Sequence, residues 1–144
     1  MSSNDLIELF DTEFGKLENL VNEVNLEDQL SANQIVSIYY QITSVTSMIE
    51  VMRQQIDNFN SNSLEKISNA EHFISKKFNS AIHPKIMTNI TNSISEITEN
   101  LQSINSEQKS KQTIENEAKL YEKLREIMST KEFVKQYDAG LSDD

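Results

Sequence analysis

"NQIVSIYYQITSVTSMIEVMRQQIDNF", residues 33–59, decides the fold class. Steps of three and four through it select Ile35, Ile38, Ile42, Val45, Ile49, Met52, Ile56 and Phe59, every one apolar. A strand would alternate at two. A repeat near 3.5 instead keeps one apolar line on one side of a helix that winds slightly about its neighbours. The a positions are Ile35, Ile42, Ile49 and Ile56; the d positions are Ile38, Val45, Met52 and Phe59, with no Leu among them. The Ile-at-a, Leu-at-d combination that favours parallel dimers is missing. The row is therefore expected to face several helices, at least some of them from this chain.

The same spacing recurs on both sides of this stretch. Upstream it selects Ile7, Phe10, Phe14, Leu17, Val21 and Val24; downstream, Met87, Ile90, Ile94, Ile97, Leu101 and Ile104. Between them, Leu64, Ile67, Ala70, Ile74, Phe78 and Ala81 share one side of a further helix.

The boundaries have causes in local chemistry. Ser31 with Gln34 fits a capping box, and Asn62 with Glu65 offers a similar start. Pro84 lacks a backbone donor, so the third helix is expected to stop near Ala81 and a fourth to begin in "HPKIM". The run "NSEQKSKQT", Asn105 to Thr113, has no apolar residue. Apolar spacing resumes at Ile114, Tyr121, Leu124 and Met128, one residue out of register. With no Gly or Pro in the run, a continuous helix is favoured over a hinge. Ser129 with Glu132 suggests a short last helix, Thr130 to Tyr137, ended by Gly140.

The predicted fold is all-α: an elongated antiparallel helical bundle or coiled coil of four main helices plus a short C-terminal helix. The helices are expected at about 5–25, 32–60, 63–81 and 85–128, then 129–138 with a tail at 139–144, in one domain over 1–144.

Composition narrows the function classes. The 144 residues include 2 Gly, 1 Pro and no Cys or Trp. Turn-rich β folds and Gly-rich phosphate loops need more glycine and proline. Without cysteine there is no disulfide framework or thiolate site, and a reducing compartment is allowed. The formal net charge is −10, which repels phosphate backbones, so direct nucleic-acid binding is not expected. The charge is uneven. Residues 1–30 carry eight acidic side chains and only Lys16 as a base, whereas residues 64–85 carry Lys66, Lys76, Lys77 and Lys85 against Glu65 and Glu71. No apolar run approaches a membrane span, and the first residues look like neither a secretory signal nor a presequence. A cytoplasmic or nuclear protein without membrane insertion is expected.

Few residues suggest chemistry. From His72 the stretch "HFISKKF" is superficially similar to the His-x-x-Lys-Gly pattern of histidine phosphotransfer domains, which are also small helical bundles. The resemblance would make His72 the phosphoacceptor. It departs at Ser75 and Lys76, which stand where the pattern has Lys and then a Gly that lets a response regulator approach. Neither His has a Glu three residues before it, so bundle-type metal sites are not expected, and no Gly-x-Ser-x-Gly elbow is present. No cofactor is expected.

The reading favoured is a non-enzymatic helical subunit of a heteromeric assembly, like kinetochore, tethering or coactivator subunits in architecture only. The alternative is a self-contained bundle acting as an adaptor for a partner peptide; a phosphotransfer-like module is third. Protein partners are expected through helical packing, as a hetero- or homo-oligomer. The candidate interaction residues are Ile7, Phe10, Phe14 and Leu17 on the first helix and Tyr40, Ile42, Ile49 and Met52 on the second. Ile94 and Leu101 on the fourth helix and the basic pair Lys76 and Lys77 complete the set.

Overall fold

In the computed structural model, which describes residues 3–24, 27, 30–105 and 110–142, the chain is an all-α bundle. Its helices are α1 (Ser3–Asn22), α2 (Ala32–Gln54), α3 (Ser61–His72), a π-helical segment (Phe73–Ile82), α4 (His83–Asn105) and α5 (Lys111–Ser142). A 3-10 turn, Ile56–Asn58, comes after α2.

α2 starts as its sequence dictates. The Ser31 N–H donates to Gln34 Oε1 at 2.9 Å and the Gln34 N–H donates to Ser31 Oγ at 3.1 Å, a reciprocal capping box. From there Ile35, Ile38, Ile42, Val45, Ile49 and Met52 are all buried within this chain. The row ends there. Ile56 is exposed and Phe59 half-buried, because the helix stops at Gln54 and the 3-10 turn rotates these two residues off its buried side. The helix expected to reach residue 60 is thus shorter.

The start of α3 also differs from expectation. Asn60, not Asn62, is the cap: its Oδ1 accepts the Ser63 N–H at 2.9 Å. The expected stop near Ala81 does not occur. Helical backbone runs through 61–105, with the π segment in the middle. There the His83 N–H donates to the Phe78 carbonyl five residues back, and Ser80 Oγ donates to the Ser75 carbonyl at the same spacing. Pro84 comes immediately afterwards. A proline in a regular helix would clash with the carbonyl four residues before it and waste that acceptor. Here the residue without a donor falls where the bonding pattern changes from five-residue to four-residue spacing, so the helix continues.

Two further boundaries move. The continuous helix favoured across 105–113 is replaced by a new start, because α4 ends at Asn105 and Ser110 caps α5. Ser110 Oγ accepts the Thr113 N–H at 3.2 Å and its carbonyl accepts the Ile114 N–H at 3.0 Å. Residues 106–109 of that run lie outside the described residues. The separate helix at 129–138 is instead part of α5. Thr130 Oγ1 donates to the Glu126 carbonyl at 2.9 Å, and Thr130 and Val134 are buried. The backbone passes Gly140 without a positive φ and stays helical to Ser142; the expected tail residues 143–144 lie outside the described residues.

The chain forms two compact units: Met1–Asn25 with Ser37–Pro84, and Leu26–Val36 with Lys85–Asp144. In the first, contacts fix the directions of the helices. Arg53 pairs with Glu71, and Tyr39 meets His83, so α2 runs antiparallel to the next helix in the chain. Asp11 pairs with Lys66 at 2.7 Å and Phe14 meets Phe73, so α1 runs parallel to that helix. The core polar contact of this unit is Tyr39 OH to His83 Nδ1 at 2.6 Å, both residues at most 3% exposed, with the Phe78 ring 5.5 Å from Tyr39. In the second unit α4 and α5 pack together. The buried line on α4 is Ile86, Ile90, Ser93 and Leu101. Met87, Ile94, Ile97 and Ile104, expected on that line, are half-buried. Ile86 and Ser93 show that the packed face starts one residue before the row read from the sequence.

Two outcomes test this packing. Ile42→Ala should lower unfolding free energy by about 2–5 kcal/mol in urea titrations, the range for deleting a buried branched side chain. Tyr39→Phe removes the hydroxyl at His83 and leaves a buried ring nitrogen without that partner; it should cost about 1–3 kcal/mol by the same measurement.

Candidate functional site

Where α1 passes the π segment, the first unit has an open groove of about 740 Å³. Its floor is aromatic. Phe14 stacks on Phe10 with ring centres 6.2 Å apart and meets Phe73 edge to face at 5.4 Å. Phe10 is fully buried, whereas Phe14 and Phe73 are half-buried and keep part of their rings open. The rim carries two lysines and a histidine. Lys76, Lys77 and His72 are exposed along one side, with Glu18 from α1 opposite and Ala81 closing the end. The Lys77 ammonium lies 5.3 Å from the centre of the Phe73 ring, a cation–π distance.

The geometry has local causes. Phe10 and Leu17 lie on the packed side of α1 and anchor it. Phe14 lies between them in sequence and turns toward the π segment. Glu13, its neighbour, ties α1 to α2: Gln41 Nε2 donates to the Glu13 carbonyl at 2.8 Å and to its carboxylate at 2.6 Å, and Lys16 pairs with the other carboxylate oxygen at 3.1 Å. The Gln41 hydrogen bond, helped by Lys16, holds the Glu13 carboxyl below its ordinary pKa. On the facing wall, the row Ile67, Ala70, Ile74 and Phe78 is buried. Phe73, one residue off that row, is left at the edge, and Lys76 and Lys77 continue outward from it.

Topology thus brings together three of the residues singled out in the sequence, Phe14, Lys76 and Lys77. The other candidates fall elsewhere. Ile42, Ile49, Met52 and Leu101 are buried, as are Phe10 and Leu17, while Ile7 and Ile94 are half-buried. Tyr40 is 65% exposed and lies apart from the groove lining. Phe73 was missed in the sequence because it lies outside the three-four row; the available signal was an aromatic one position off a core row, with two lysines just after it. His72 lies on the rim, and His83 is committed to Tyr39 in the core.

No family model, curated protein or solved structure matches the chain. No helix among the described residues is long and apolar enough to cross a membrane.

The Glu13 contact gives a pH test of how α1 is held. A carboxyl with a depressed folded pKa adds stability above its unfolded pKa and loses it as pH falls through the folded value. Urea midpoints of wild type and Glu13→Gln should therefore differ near neutral pH and converge in acid.

Proposed function

We propose that this chain is a non-enzymatic helical interaction subunit that docks a partner protein in the groove between α1 and the π segment. The observation that carries the reading is the contrast between two kinds of apolar residue. The seam side chains of α2 from Ile35 to Met52, with Ile42 and Ile49 among them, are buried inside the chain. Phe14 and Phe73 keep open ring surface beside exposed cationic side chains, the composition of a contact patch, in which aromatic anchors dominate binding energy. In the first unit this favours the adaptor form of the reading, a bundle with its own core that presents a groove, over a seam that awaits another helix. π-helical turns are uncommon and often accompany functional sites, which adds support. A cytoplasmic or nuclear setting fits the cysteine-free composition.

The test is purification of the tagged chain from its source, compared with Ala81→Gln, a substitution at an exposed lining position that lays a longer side chain over the floor without disturbing the core. The expected result is a stoichiometric partner with wild type and loss of that partner with Ala81→Gln at unchanged helicity by circular dichroism. A partner retained equally by the variant, or a wild type that purifies alone as a monomer, overturns the proposal.

A further inference from the structure

Resting on the docking role just given, we propose that the occupant of the groove is a short acidic segment of another protein, carrying one bulky apolar anchor flanked by carboxylates. The anchor seats on the open faces of Phe14 and Phe73, and the carboxylates reach Lys76 and Lys77.

The charge distribution selects this occupant. The chain carries −10 overall, with eight acidic side chains in its first 30 residues. A basic partner would be drawn to many places on such a surface. An acidic partner is repelled by the acidic first 30 residues and drawn to lysines that no neighbouring carboxylate pairs, unlike the bases of α5, which alternate with glutamates, so charge orients the approach. The groove is such a place: Lys76 and Lys77 line it against the single carboxylate of Glu18. Lys76 takes part in no ion pair or hydrogen bond among the described residues, in contrast to Lys66, which is paired with Asp11. Lys77 is already parked over Phe73, and an arriving carboxylate can take its ammonium while the anchor covers the ring it leaves. Glu18 sets polarity, because the carboxylates of the segment must lie on the lysine side and neutral or basic residues on the α1 side. A second copy of the chain is a poorer occupant. It brings another −10, and the long-range repulsion opposes association. The size agrees with a single anchor: about 740 Å³ lies within the usual range of concave sites for small ligands and is too small for a globular surface.

The probe is a set of three alanine-based synthetic peptides of equal length, titrated into 15N-labelled protein and monitored by amide chemical shifts. One carries a central Phe flanked by Glu, the second has Lys in place of each Glu, and the third keeps Glu but has Ala in place of Phe. The Glu–Phe peptide should shift amides at Phe14 and along 73–81. The other two should bind there at least roughly tenfold more weakly. Lys76→Glu with Lys77→Glu, both exposed, should weaken the Glu–Phe peptide by roughly tenfold at low salt and reverse the preference toward the Lys peptide. Equal or tighter binding of the Lys peptide to wild type overturns the proposal, as does a shift pattern elsewhere or one insensitive to the charge reversal. Concentration-dependent shifts at the groove in protein alone would name a second copy as the occupant and overturn it too. The docking role fails separately: it falls if the purified partner ignores Ala81→Gln. If the partner is lost with Ala81→Gln but retained with the charge-reversed lysines, docking stands and the acidic occupant is wrong.

Discussion

Most of the first unit depends on the burial of one side of α2. Ile38, Ile42, Val45, Ile49 and Met52 are shielded from water along four turns, and full burial of each such side chain is worth about 1.5–3 kcal/mol before ordering costs. The positions recur at three and four, so the helix can satisfy them only by packing on neighbours along its whole length. α1 answers with Phe10, Leu17 and Val21, and the next helix in the chain with Ile67, Ala70, Ile74 and Phe78. Polar contacts then fix direction and register, which apolar burial leaves loosely set. Gln41 ties α2 to Glu13, and Tyr39 ties it to His83. The Tyr39–His83 bond is the more demanding of the two, because both groups are buried and each would be costly to leave unmatched.

The fold class could be read from the sequence because helical periodicity is a property of side-chain spacing alone. The α2 row from Ile35 to Met52, and Phe10, Leu17 and Val21 on α1, could be placed residue by residue for the same reason. What could not be read depended on backbone hydrogen bonding. Pro84 carries a strong local preference to end a helix, and the π segment overrides it by moving the acceptors to five-residue spacing. No residue pattern signals that change in advance. On α4 the packed face differs from the row read from its own spacing: Ile86 and Ser93 are buried where Met87 and Ile94 were expected. The last boundary failed for another reason. A run of polar residues is compatible with a solvated helix or with a break, and the hydroxyl of Ser110, free to cap, made the break the better solution.

The groove was legible in parts and not as a whole. Phe14 stood out as a member of an apolar row, and Lys76 with Lys77 as an adjacent basic pair in an acidic chain. Their proximity is a matter of topology, since α1 and the π segment are separated by 50 residues or so of intervening chain and meet only because α1 lies parallel to α3. Phe73 completes the set, and its role comes from failing to fit the core row. A residue one step off the row has its ring at the edge of the packed face, half in contact with Phe14 and half in solvent. The same step places Lys77, four residues on, above the ring.

Cationic groups on a strongly acidic chain carry more information than the same groups on a neutral one. On a neutral surface two lysines are one attractive point among several. Here the first 30 residues carry eight acidic side chains, so two adjacent lysines give an acidic ligand a local attraction against that background. Electrostatics of this kind acts mainly on approach and on the choice of partner, and it fades with added salt. The retained affinity must then come from the aromatic floor, whose contribution is not screened. The groove joins the two in one place. Lys77 over Phe73 links them: the ammonium lies over the ring, and in the proposed complex a carboxylate that draws it aside adds that face to the open part of the ring. On the proposed docking, the charge that brings a ligand in thereby exposes more of the apolar surface that holds it.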